Sequence, residues 1–192
     1  MNELLNHTAV RVDLSKPDNT ELVRGRSTLV EALWLLLAAP LLASHVMISS
    51  GVRTMLLRLF GAKIGRNVYF KPGLRVKFPW YLSIGDHCWI GEDVWIDNLA
   101  PVSIDSHVCV SQGVYLCTGN HDWSARNMRL FRRPIHLQSG CWAGARSVIS
   151  PGVTVGEGAI LSVGSVATRD LDPWGIYAGN PAVLVRERKM ND

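Results

Sequence analysis

Ile84-Gly-Asp-His-Cys-Trp, Ile90-Gly-Glu-Asp-Val-Trp and then Ile96 place an aliphatic residue every six positions. The same step reappears after a gap at Ile104, Val110 and Leu116. After a longer interruption it returns at Leu137, Ala143, Ile149, Val155, Leu161 and Ala167. Six is a multiple of the strand period of two but not of 3.6, so these residues point the same way only if the chain is extended. A short fixed period marks a solenoid, in which each unit covers its apolar side by stacking on its neighbours. Glycine and asparagine at Gly65, Asn67, Gly85, Gly91, Gly156 and Gly158 read as corners. Three units close one turn, and turns one strand spacing apart give roughly five turns between Ile64 and Ala167. So narrow a column needs a cap or identical partners to cover its flat faces.

With 192 residues there is room for one domain and an accessory segment. We divide the chain into an N-terminal polar arm and helical segment, 1–60, and the solenoid, 61–192. The solenoid has a loop excursion at 118–136 and a tail at 170–192. A net charge of +4, with no basic stripe carrying interleaved aromatics, argues against a nucleic-acid partner. Cys88, Cys109, Cys117 and Cys141 lie in or beside repeat strands without metal-binding spacing, so they read as small buried hydrophobes in a reducing compartment.

Residues 1–26 are polar and carry no secretory leader pattern. Between Glu31 and Arg53 there is no charged residue, and Leu33-Trp-Leu-Leu-Leu-Ala-Ala-Pro-Leu-Leu-Ala is strongly apolar. A crossing needs about 20 apolar residues, and Pro40, His45 and Ser49-Ser50-Gly51 interrupt this run. The stretch from Arg53 to Phe60 reads as a short amphipathic helix with Arg53 and Arg58 toward lipid head groups or water. Three readings follow: residues 29–60 cap the first coil, touch a membrane peripherally, or span it.

Five segments carry a likeness: Cys117-Thr-Gly-Asn-His-Asp122, Trp142-Ala-Gly-Ala, Pro151-Gly-Val-Thr-Val-Gly156, Gly164-Ser-Val-Ala-Thr-Arg169 and Tyr177-Ala-Gly-Asn-Pro-Ala182. Together they resemble the hexapeptide-repeat acyltransferases from Ile64 to Arg186. Phe78-Pro-Trp-Tyr-Leu-Ser-Ile-Gly85 and Trp95-Ile-Asp-Asn98 favour the colanic acid and exopolysaccharide branch over the galactoside and maltose acetyltransferases. The resemblance implies an all-β fold, a left-handed parallel β-helix, with the helical segment at its N-terminal end. It also implies a homotrimer with sites between subunits, and acetyl-CoA as donor.

Acetyl transfer to a hydroxyl needs a base, because a free alcohol is a poor nucleophile near neutrality. His121 stands where the repeat breaks, beside Gly119, Asn120 and Asp122, and the resemblance also places the base there. Asp122, or a backbone carbonyl, is expected to hold the imidazole in its useful tautomer. Backbone N–H groups in the turn Trp142 to Ala145 are candidates to bind the oxyanion. His87 and His107 fall at polar corners and read as solvent-facing.

The resemblance carries coenzyme A binding onto Trp142, Gly144, Ala145, Val163, Thr168, Arg169 and Arg186. Val183 departs from it, standing where the galactoside branch has a basic residue. Arg188 or Lys189 could take over that contact. For the acceptor, Asp97 matches a polar pocket residue of the sugar acetyltransferases. Phe78, Trp80 and Trp95 either stack on a sugar ring or pack within the protein. No metal is expected: a metal-dependent carbonic anhydrase of this fold needs a histidine shortly before His121, where Leu116 and Cys117 stand. The expectation is a cytoplasmic acetyl-CoA:saccharide O-acetyltransferase acting on a saccharide or lipid-linked saccharide at the inner face of the membrane. Transfer to an amino sugar nitrogen or to serine, or a non-catalytic scaffold, are the alternatives.

Overall fold

The computed structural model describes residues 11–46 and 49–191. The six-residue units form three parallel sheets that wrap a left-handed parallel β-helix of about six turns. Sheet A stacks Ile64, Ile84, Ile104, Leu137 and Val155 inward, and Leu171 continues it by a bridge to Val155. Sheet B stacks Phe70, Ile90, Val110, Ala143, Leu161 and Tyr177. Sheet C stacks Val76, Ile96, Leu116, Ile149 and Ala167. All these side chains are buried, and they make one continuous core. The expected five turns end at Ala167, and Leu171 with the strand Gly175–Gly179 adds the sixth.

The repeat is strict on two edges and broken on the third. Inward residues of sheets A, B and C follow at six-residue steps, but each early return from C to A is longer: Val76 to Ile84, Ile96 to Ile104, and Leu116 to Leu137. Register partners in the early coils are therefore 20 residues apart, as in Lys63 and Ser83. Trp142 and Ile160, in the later coils, are 18 apart. The extra residues are held by side chains in place of ladder bonds. The buried Asn98 amide receives Phe78 N–H at 2.9 Å and donates to Phe78 O at 2.7 Å. Thr118 Oγ1 donates to Asp97 O and accepts from Ala100 N–H. Unsatisfied backbone at a buried corner is costly, so polar residues there follow from the break itself.

The open first coil is covered by helices α1 (Thr28–Leu33), α2 (Ala39–Ala43) and α3 (Ser50–Leu59). A π turn, Trp34–Ala38, joins the first two. Trp34, Ala38, Leu42 and Leu57 are buried against the core, and the Trp34 indole N–H donates to Val76 O at 3.2 Å. Residues spaced by four over-run 3.6, so on a regular helix their stripe would wind by about 40° per step. The wider π turn takes up that excess and keeps Trp34, Ala38 and Leu42 aligned over the coil. No helix among the described residues is long and apolar enough to cross a membrane.

The expected orientation of the arginines is corrected. Arg53 is fully buried, donating to Leu42 O and Ser44 O, and Arg58 donates to the carbonyls of Ile64 and Gly65. The carbonyls at the end of α2 and the start of the first strand need donors, and a long guanidinium reaches them from α3. The chain closes with an antiparallel hairpin of Gly175–Gly179 and Ala182–Glu187, so the tail is sheet rather than a loose strand of charge.

Candidate active site

His121 leaves the column at the broken C-to-A edge. Its strand, Gly119–His121, pairs antiparallel with Leu130–Arg132, His121 opposite Leu130. The hairpin is seated closely: a Cβ on Gly119 would lie 2.6 Å from Leu99 Cδ1, so a larger residue there would displace the Leu99 side chain. The imidazole is exposed, and its Nδ1 lies 2.6 Å from Met128 O. A carbonyl can only accept, so Nδ1 carries the proton and Nε2 keeps its lone pair in the neutral ring. Asp122 does not hold the ring. Its carboxylate accepts from Ser124 N–H and Oγ and faces Arg129 at 3.3 Å. The Ser124 hydrogen bonds keep that carboxyl below the usual carboxylate range. Asp122 instead shapes the turn that delivers Met128 O to the histidine.

His121 lines a cavity of about 460 Å³ together with Phe78, Lys77 and Asp97 from the two coils before it. Asp97 Oδ2 accepts from Tyr115 O–H at 3.1 Å. Asp97 Oδ1 is buried without a hydrogen bond; the Lys77 ammonium sits 3.3 Å away as a charge neighbour only. Tyr115 is raised above its ordinary pKa, first by burial and then by Cys117 and Asp97, so it remains a donor to Asp97. The opposite wall comes from the N-terminal arm: Asn19, Leu22, and the pair Arg24–Glu31, whose bidentate contacts are 2.8 Å. The arm is pinned to the excursion by Asp13 N–H to Arg126 O and by Glu21 with Arg132 and Arg133.

Of the expected aromatics, the structure brings only Phe78 to the cavity. Trp80 lies behind it, stacked at 5.1 Å with its indole N–H on Arg24 O. Trp95 stacks on Tyr115 at 4.5 Å under the Arg75 guanidinium, on the outer face of sheet C. Each ring thus packs on an aromatic partner of this chain and lies outside the cavity. The arm residues Asn19, Arg24 and Glu31 were not read from the sequence. They belong to no repeat, and only the fold carries them across to His121. Tyr115 was also missed, although it follows from coil arithmetic: register sets Trp95 beside Tyr115 and Asp97 beside Cys117.

The residues expected to hold coenzyme A divide among the outer face of sheet B, the B-to-C corner and the C-to-A edge. Trp142 is on sheet B, and Gly144, Ala145 and Val163 form the B-to-C corner. Gly144 is pressed on the next coil, where a Cβ would meet Leu161 O and Val163 N at 2.7 Å. In this turn Trp142 and Gly144 donate to Ala159 O and Leu161 O, while Ala145 N–H has no hydrogen-bond acceptor among the described residues. Thr168 and Arg169 are exposed at the C-to-A edge, later along the column than His121. Arg186 borders an open cavity of about 980 Å³ with Ile160, Ile176, Arg188 and Lys189. An apolar floor with a basic rim suits an anionic heteroaromatic group. Arg188 donates to Gly140 O and Gly158 O and lies over Trp174, so it is anchored rather than free in solution.

His87 and His107 are exposed and stacked at 5.1 Å, each with positive φ at a corner. All four cysteines are free thiols, and burial pushes Cys141 up to about 12. Among the described residues no group of His, Cys, Asp and Glu gathers to hold a metal ion.

A profile described as the hexapeptide repeat of succinyl-transferase matches residues 81–117 and 139–169. WcaF of Escherichia coli, named for acetyltransferase activity in colanic acid biosynthesis, is 37% identical over 165 residues, covering 86% of this chain and 91% of its own. The galactoside O-acetyltransferase of E. coli is 31% identical over 149 residues, 73% of this chain and 70% of its own. In three dimensions, the hexapeptide-repeat acetyltransferase VCA0836 of Vibrio cholerae, solved with acetyl coenzyme A, superposes with a TM-score of 0.76 at 26% identity. It covers 86% of this chain and 92% of that one. The chain is thus an acyltransferase of the hexapeptide-repeat acetyltransferase family.

Proposed function

We propose that the protein transfers the acetyl group of acetyl-CoA to a saccharide hydroxyl, with His121 as general base. The observation that carries this is the Nδ1 to Met128 O bond, which leaves Nε2 as the proton acceptor in the wall of a cavity. The same cavity is lined by Asp97, whose carboxylate, placed by the Tyr115 O–H and the Lys77 ammonium, suits the orientation of a sugar hydroxyl. Nε2 takes the proton of the attacking hydroxyl as its oxygen bonds to the acetyl carbon, and the Ala145 N–H, without an acceptor among the described residues, suits the developing oxyanion. Collapse breaks the C–S bond to release the coenzyme A thiolate, which takes the proton from the imidazolium. Likeness to WcaF supports an acceptor from exopolysaccharide assembly, in free or lipid-linked form. Four free thiols suit the cytoplasm.

His121 and Ala145 stand on different edges of one column, so a complete site needs two copies. A closed homotrimer meets that need by setting the B-to-C edge of one protomer against the C-to-A edge of the next. Its support is the outer surface of sheets B and C, where Tyr69, Trp89, Trp142, Trp95 and Tyr115 point outward. Aromatic side chains on an outer face are the composition of an interface core.

The test is His121→Ala, assayed with labelled acetyl-CoA and saccharide acceptors while light scattering follows the assembly. Loss of about 10²–10⁴ in turnover with an unchanged trimer is expected. Undiminished acetyl transfer would remove His121 as the base.

A further inference from the structure

The helices that close the column have a second apolar side that no described residue covers. Leu29, Leu33, Leu37 and Leu41 recur every four positions beside the buried Trp34, Ala38 and Leu42, and the π turn keeps both rows straight. With Leu36 they form a leucine stripe whose members are 42% to 75% exposed. A row of exposed leucines without one charge is not ordinary surface. We propose that this stripe lies in the interface of an anionic lipid bilayer and brings the acceptor cavity to the membrane surface.

Charge selects lipid as the occupant. Of the seven arginines and lysines in residues 22–71, Arg53 is buried, Arg58 is held on backbone carbonyls, and Arg24 and Arg66 are paired with Glu31 and Asp86, which leaves Arg26, Lys63 and Lys71 exposed for phosphates. Arg26, just before α1, and Lys63, just after α3, are both exposed, and the Arg26 guanidinium lies over Gly61 where α3 ends. Leucines in one row with basic residues at the end of the helix pair are what an interfacial helix requires: apolar area for the acyl boundary and cations for the phosphates.

The position of the stripe gives the docking a use. Glu31 lines the His121 cavity and sits on α1 between Leu29 and Leu33, so cavity wall and stripe are one helix. A saccharide tethered to a bilayer by a lipid would meet His121 without leaving the surface. This rests on the saccharide reading above for the identity of the acceptor, but not for the docking itself.

Flotation of the full-length protein with phosphatidylcholine vesicles, with and without phosphatidylglycerol, tests it. Wild type should float with the anionic vesicles, less so in high salt. The exposed triple substitution Leu33→Gln, Leu36→Gln, Leu37→Gln should stay unbound, with its oligomeric state and its acetylation of a water-soluble saccharide unchanged. Wild type that fails to float, equal flotation of wild type and variant, or a variant that loses its assembly state in lipid-free buffer each overturns the proposal; the last assigns the stripe to a second copy of the chain. Absence of saccharide acetylation by wild type, with flotation as expected, overturns the saccharide reading and leaves the docking intact.

Discussion

Sheet A and sheet B obey the same six-residue rule inside and differ outside. The outward residues of sheet A are Lys63, Ser83, Ser103, His136 and Thr154; those of sheet B are Tyr69, Trp89, Cys109, Trp142, Ile160 and Ile176. Inward side chains are fixed by the need to fill a narrow column, whereas outward ones are free to record what each face meets. A polar ladder records water, with Ser83 Oγ donating to Ser103 Oγ at 3.2 Å and His136 facing Asp105 at 3.0 Å. An aromatic row, with Tyr69 60% and Trp89 68% exposed in the single chain, is what the proposed assembly would cover.

The contrast can be broken by charge. Trp89→Glu on sheet B is expected to abolish assembly and, with it, nearly all acetyl transfer; a sedimentation profile matching wild type would remove sheet B from the interface. A change on the inner face should act through stability instead. Leu116→Ala, fully buried in sheet C, is expected to cost about 2–5 kcal/mol, read by denaturant unfolding. The edges come next. Gly144→Ala puts a methyl against the backbone of Val163 and should cost about 1–3 kcal/mol, read the same way. Gly164→Ala meets nothing within 4 Å, so only its φ of +67° opposes it, at about 1 kcal/mol. Smallest of all, Ser83→Ala on sheet A loses one half-buried hydroxyl bond and should shift stability by about 0.5 kcal/mol without changing assembly.

The inner rows were legible because a stacked column repeats one environment, and Ile84 to Ile96 shows its period directly. Departures from the period were legible as gaps, and the gaps build the edge beside the His121 cavity: Phe78, Asn98 and Thr118 are its successive corners. His121 could be picked out because it opens the longest gap. Its partner could not, since Met128 O is a backbone atom seven residues away, brought back by a turn that Asp122 builds. The arm residues Arg24 and Glu31 were equally hidden, because their approach to His121 depends on how the arm crosses the excursion. Arg53 misled for a related reason: an arginine in an amphipathic helix normally faces water, but here the orphan carbonyls of Leu42 and Ser44 lie on the buried side.

Period, composition and spacing alone determined an extended chain wound in six-residue facets, three to a turn, around an aliphatic core, with one histidine at its main interruption. That information is local, because each repeat unit contacts only its neighbours along the column. The tertiary structure decided which tautomer that histidine holds, which carboxylate and which arm residues share its cavity, and that the turn Trp142 to Ala145 lies on a different edge while Thr168 and Arg169 share the edge of His121. Those outcomes depend on loops, on the angle of the helical cap and on the stacking of unequal coils, where residues far apart in the chain meet and no period announces them.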